Sequence, residues 1–174
     1  KLFQIGNSCI APTFSIIERP NAWAKEIKSA VSSNPTQQKR FEYWQAFNNY
    51  AFNNTDFSKA FNKRKPSTDH WMYLSIGSST CKIGISQIQK RSSITIELYI
   101  NDDKDLFRML LSHKNEIEAD MGISLDWREL PERKASRIIV EKTVELENKN
   151  KWNEQFAYIT DICLKMKKAF KKHI

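Results

Sequence analysis

A chain of 174 residues that is 40% hydrophobic and 11% aromatic can bury a real core, which excludes a disordered chain and fits one domain with a short appendage. Its 28 Lys and Arg against 20 Asp and Glu give a formal net charge of +8, which favours a polyanionic partner. No apolar run approaches the roughly 20 residues of a spanning helix and no signal-peptide pattern is present, so a soluble, cytoplasmic protein with no membrane partner is expected. The three cysteines, Cys9, Cys81 and Cys163, are odd in number and far apart. That spacing is neither a disulfide framework nor a zinc pattern, and it fits a reducing compartment.

Residues 1–36 read as a lead. Two short apolar runs, Leu2 to Ile5 and Phe14 to Ile17, flank GNSCIAP and suggest two strands or a loose hairpin. Trp23, Ile27 and Val31 then recur at helical spacing, and Ser32 to Thr36 reads as a linker. The chain opens on Lys1 directly into a strand-like run, so the lead is expected to be the end of an upstream domain.

Residues 37–174 are expected to form an α+β domain. Phe41, Trp44, Phe47, Tyr50 and Ala51 make the buried stripe of a helix, with Pro35 and Thr36 as its start signal. Phe57 and Phe61 continue the aromatic pattern past Asn53-Asn54, and Lys63 to Asp69 is a basic loop. Three strands follow, carrying Met72, Leu74 and Ile76, then Ile83 and Ile85, then Ile94, Ile96, Leu98 and Ile100 on one face. The short turns between them force antiparallel pairing. Asn101 to Asp103 caps a helix whose apolar face is Leu106, Phe107, Leu110, Leu111, Ile117 and Met121, ended by Gly122. A fourth strand carries Ile123, Leu125 and Trp127, and a fifth Ile138, Val140, Val144 and Leu146. The closing helix, about 151–172, buries Trp152, Phe156, Ile159, Cys163, Met166 and Phe170 and gathers lysines in its last turn. The expected fold is an open, largely antiparallel sheet of about five strands, in the order helix, three strands, helix, two strands, helix, with helices on one face.

Catalytic patterns are sparse. Glu132-Arg133-Lys134 fits the Glu-x-Lys half of a PD-(D/E)xK nuclease, with Asp126 as a possible second acid, but it falls on a turn where that chemistry wants a strand. His70, His113 and His173 are dispersed, without zinc spacing. A thiol nucleophile at Cys81 or Cys163 is countered by their apolar settings. Gly77-Ser78-Ser79 is a hairpin turn and lacks the ending of a phosphate loop. No catalytic residue and no metal ligand is assigned.

Basic residues near aromatics carry the binding expectation. Lys82, Lys90 and Arg91 flank the second hairpin, and Arg128, Arg133, Lys134 and Arg137 surround the turn beside Trp127. Placed at one end of the sheet, these turns would form a cationic patch able to track phosphates, with Trp127 stacking on bases if exposed. Arg137 has a second option, a pair with Glu97 across the sheet.

IELYI (96–100), KNEIEADMGISLDWRELPERKASRI (114–138), KWNEQFAYI (151–159) and KKAF (167–170) together resemble domain-of-unknown-function family 4268 of bacteria and archaea, over residues 37–172. In longer members of that family the upstream part often resembles a PD-(D/E)xK-type nuclease or a DNA-modification-associated domain. The resemblance implies an accessory domain without a catalytic half or a cofactor of its own, magnesium belonging only to such an upstream nuclease. The expected function is non-catalytic help in nucleic-acid binding or assembly within a nuclease-like or restriction-associated protein. A homodimerisation or protein-interaction module that uses Trp71, Tyr73 and Tyr99 on the uncovered sheet face is the alternative, and a nuclease in its own right the third reading.

Overall fold

A computed structural model describes residues 34–174 together with Leu2–Phe3 and Ala11–Pro12. These two short strands, β1 (Leu2–Phe3) and β2 (Ala11–Pro12), pair antiparallel, while the expected strand at Phe14 to Ile17 and the short helix around Trp23 lie outside the described residues.

Helix α1 (Pro35–Ala51) starts where Asn34 accepts a hydrogen bond from the Thr36 amide and proline takes the first helical position, whose missing N–H costs nothing there. It buries Phe41, Tyr43, Trp44, Phe47 and Ala51, whereas Tyr50 stays exposed. Asn54 breaks the pattern by capping α2 (Thr55–Ala60) through the amides of Asp56 and Phe57. Phe57 and Phe61 are buried, so the aromatic stripe is core.

Strands β3 (Trp71–Ser75), β4 (Cys81–Ile88) and β5 (Ser93–Ile100) form the expected meander. Ser92, at φ +45°, closes the β4–β5 turn. Helices α3 (Lys104–Ser112) and α4 (Lys114–Met121) stand where one continuous helix is expected from the sequence. Asp103 caps α3 through the Leu106 amide, and Gly122, at φ +69°, ends α4. The backbone breaks at His113; before it Phe107 and Leu110 are buried and Leu111 is 40% exposed, and after it Ile117 and Met121 are buried.

Strands β6 (Asp126–Arg128) and β7 (Ser136–Thr143) complete a five-stranded antiparallel sheet in the order β3-β4-β5-β7-β6. Both are displaced from the expected fourth and fifth strands, because Ile123 and Leu125 precede β6 and Val144 and Leu146 follow β7. Leu146 is nonetheless buried, and its carbonyl accepts from Trp152 Nε1 at 2.9 Å. Helix α5 (Trp152–Lys171) lays Phe156, Ile159, Cys163, Met166 and Phe170 against the sheet.

One sheet face, carrying Leu74, Ile83, Ile85, Ile96, Leu98 and Ile138, joins the buried helix residues in a single core cluster. The opposite face carries Tyr73, Lys82, Glu97, Tyr99, Arg137 and Arg128, as the register of the strands requires. Among the described residues no helix is long and apolar enough to cross a membrane.

Candidate nucleic-acid interface

The polar sheet face is organised in cross-strand rows. Lys82, Tyr99, Arg137 and Arg128 stand opposite one another on β4, β5, β7 and β6, so three cations and one aromatic ring share a line. The Lys82 ammonium lies 3.8 Å from the Tyr73 ring centroid and 5.3 Å from that of Tyr99. The Arg137 guanidinium is 5.4 Å from the Tyr99 ring. Trp71 continues the aromatic surface along β3, with its ring 4.8 Å from Tyr73. Cations against ring faces leave their outward edges available to a further anion, while exposed ring area remains open to stacking.

Arg137 also pairs with Glu97, Nη1 to Oε2 at 3.1 Å, which realises the structural option read from the sequence. Glu97 is buried, and desolvation raises its carboxyl above the usual range although the Arg137 charge opposes the rise. Its room comes from Gly84, the residue opposite: a Cβ there would stand 3.1 Å from a Tyr73 ring carbon and 3.2 Å from Glu97 Cγ. Burial and the Glu97 charge push the Tyr73 phenol up as well.

Beside Lys82, at the end of the β3–β4 hairpin, a cleft of about 340 Å³ brings Arg64 from the basic loop toward Ser75, Ser78, Ser79 and Thr80. Tyr73, Tyr99 and Asn101 complete its polar lining, which holds two cations and no carboxylate. The Arg64 backbone is fixed by its carbonyl, which accepts from Asn48 Nδ2 at 2.8 Å. The sequence carries both halves, a basic loop at 63–69 and a hydroxyl-rich turn at 77–80. Their meeting depends on how the loop after α2 returns to β3, and no local pattern encodes it.

The expected patch divides. The β4–β5 turn with Lys90 and Arg91 lies at the Ser93/Thr143 end of the sheet, whereas Arg133 and Lys134 lie beyond Ser136, at the opposite end. The antiparallel β5–β7 register separates these two turns, so they do not form one surface. Arg91 pairs with Glu141 at 2.8 Å, Lys134 with Asp102 at 3.5 Å, and Arg128 with Asp126. Lys90 and Arg133 are exposed on their turns. Trp127 is half-buried. Its ring sits on the helix side between Phe107 and Phe170, and its Nε1 donates to Glu118 at 3.0 Å.

Glu132 and Lys134 stand on the turn between β6 and β7, as the sequence suggests. Lys104 ties that turn down by donating to the carbonyls of Glu129, Leu130 and Ala135 and to Ser136 Oγ. With Asp126 held by Arg128 and Lys134 by Asp102, the turn is a stapled surface loop. Cys81 and Cys163 are buried free thiols whose pKa values burial pushes up, opposite to what a thiolate nucleophile needs.

The family description "Domain of unknown function (DUF4268)" matches residues 39–174. The chain belongs to that family. Neither the curated proteins nor the solved structures contain a match to it. The DUF4268 region contains all five strands of the large sheet and the whole of the row and cleft, and it starts inside α1.

Proposed function

We propose that this chain is a non-catalytic accessory domain that engages nucleic acid through the polar face of its sheet, within a nuclease-like or restriction-associated protein. The observation that carries the reading is the cleft between Arg64 and Lys82, which has two cations and no carboxylate in its lining and runs into the Lys82–Tyr99–Arg137–Arg128 row. Phosphate recognition needs such cations together with hydroxyl donors. Half-buried tyrosines and the exposed Trp71 add ring faces on which unpaired bases can stack. The +8 net charge supplies long-range attraction. The nuclease or restriction setting rests on the longer members of the family, whose upstream part often resembles a PD-(D/E)xK-type nuclease or a DNA-modification-associated domain.

The test is fluorescence anisotropy with short labelled single- and double-stranded DNA over a salt series. Binding that weakens linearly in log affinity against log salt supports the proposal. Negligible affinity at low salt refutes it.

One observation favours a second reading, self-association. Trp71 is 38% exposed on β3, an edge strand whose outer backbone groups have no strand partner among the described residues. Sedimentation at high protein concentration separates the two, since a strict monomer removes this alternative.

A further inference from the structure

His113 and His173 are sixty positions apart, and nothing in their spacing suggests a metal. The fold brings them together. His113 occupies the junction of α3 and α4, Glu116 lies in the first turn of α4, and His173 follows the end of α5. The two imidazole rings are 4.5 Å apart between centroids and inclined by 31°. His113 Nδ1 is 3.6 Å from Glu116 Oε2, and His173 Nε2 is 3.9 Å from Glu116 Oε1. One ligand atom from each of the three residues fits within 4.8 Å of the others.

These separations have a physical reading. Both N···O distances are too long for hydrogen bonds. They run to the two different oxygens of the Glu116 carboxylate and exceed by roughly 0.3–0.6 Å the roughly 3.3 Å between two ligand atoms on a tetrahedral ion whose bonds are about 2.0–2.1 Å long, so binding draws the three side chains slightly together. A second, independent observation points the same way. The His173 side chain is only 9% exposed, yet its Nε2 is buried without a hydrogen-bond partner. A buried polar nitrogen without a partner is unfavourable, and a bound cation would satisfy it. His113 and Glu116 remain open to solvent, which gives an ion a route in. Lys172, next to His173, is already paired with Asp120 at 2.5 Å, so its charge is neutralised locally.

We propose that His113, Glu116 and His173 form a divalent transition-metal site of the zinc class, with three protein ligands and a fourth position open to water. Two imidazoles and one carboxylate are the donor set that suits zinc or cobalt over magnesium or calcium, which prefer oxygen alone. The ion would clamp the end of α5 to the start of α4, elements already packed on each other.

The test uses the whole chain stripped with a chelator and titrated with Co²⁺ and with Zn²⁺. The expected result is one equivalent of Co²⁺ bound with tetrahedral visible absorption, displaced by Zn²⁺, and a zinc-dependent rise in melting temperature. His113→Ala and Glu116→Ala each weaken binding at least tenfold and abolish the melting shift, while His70→Ala changes neither. Both substitutions are at solvent-exposed positions, and circular dichroism of the metal-stripped variants checks their folding, so either one suffices. No saturable binding by the wild-type chain overturns the proposal. So does wild-type affinity in a folded His113→Ala or Glu116→Ala variant.

Discussion

Arg137 on β7 and Glu97 on β5 form a diagonal pair across the polar sheet face, with Nη1 3.1 Å from Oε2. The two partners are unequal. The carboxylate is 6% exposed, whereas the guanidinium keeps much of its surface in water. Removing Arg137 therefore strands a buried charge, and removing the Glu97 charge leaves a cation that water can still solvate. Arg137→Ala is expected to cost about 2–3 kcal/mol, below the range for a fully buried pair because Arg137 is partly solvated. Glu97→Gln is expected to cost less than about 1 kcal/mol. Urea denaturation of both variants measures the asymmetry.

The same carboxyl gives a pH dependence with a definite sign. Burial raises the Glu97 pKa in the folded chain above its unfolded value, so the folded state holds that proton more tightly. Stability from this group is fully present below the ordinary glutamate pKa of about 4.3 and is lost as pH rises through the raised value. Melting curves of wild type and Glu97→Gln should diverge in that window, with the variant gaining relative to wild type as pH rises. Parallel curves would show that Glu97 is not desolvated.

Gly84 keeps the aromatic row in place by omission. A side chain there meets Tyr73 and Glu97 at 3.1–3.2 Å, closer than ordinary contact. Gly84→Val should cost about 1–2 kcal/mol through crowding and should displace Tyr73 from beneath Lys82. Thermal unfolding gives the first effect, and a weaker affinity for single-stranded DNA the second.

Trp127 and Glu118 tie α4 to the start of β6. Glu118 Oε1 accepts from the Leu125 amide at 2.8 Å and from Trp127 Nε1 at 3.0 Å. Those donors, the Leu125 amide foremost, hold the Glu118 carboxyl below its usual range. Its folded pKa is depressed, so its contribution is present above the ordinary glutamate pKa and is lost as pH falls through the depressed value. Glu118→Ala should cost about 1–2 kcal/mol at neutral pH and progressively less in acid. Trp127→Phe should lower the melting temperature while leaving the salt dependence of DNA binding unchanged.

The period-two alternation of Ile94, Ile96, Leu98 and Ile100 is enough to place β5 and its buried side, and short turns are enough to make the meander antiparallel. The split at His113 is less legible, because the apolar residues on both sides keep helical spacing while the backbone leaves it. The side of the sheet that Trp127 takes is hard to read for a related reason. Alternation puts it opposite Asp126 and Arg128, but a single amphipathic ring beside charges does not declare which face is the core. The Arg64–Lys82 cleft and the His113–His173 pair each join residues from segments distant in sequence, and such contacts have no local signature.

The most direct measurement is the salt slope of DNA affinity for wild type and for Arg64→Ala/Lys82→Ala. Arg64 is an exposed residue of the cleft lining whose carbonyl bond from Asn48 survives the substitution, and Lys82 rests on Tyr73 without an ion pair among the described residues. The expected result is measurable wild-type binding at low salt, an unchanged melting temperature in the double variant, and a slope shallower by about 1–2, one unit or slightly less per phosphate contact removed. A wild-type chain that fails to bind at low salt, or a double variant that keeps the wild-type slope and affinity, would contradict the account.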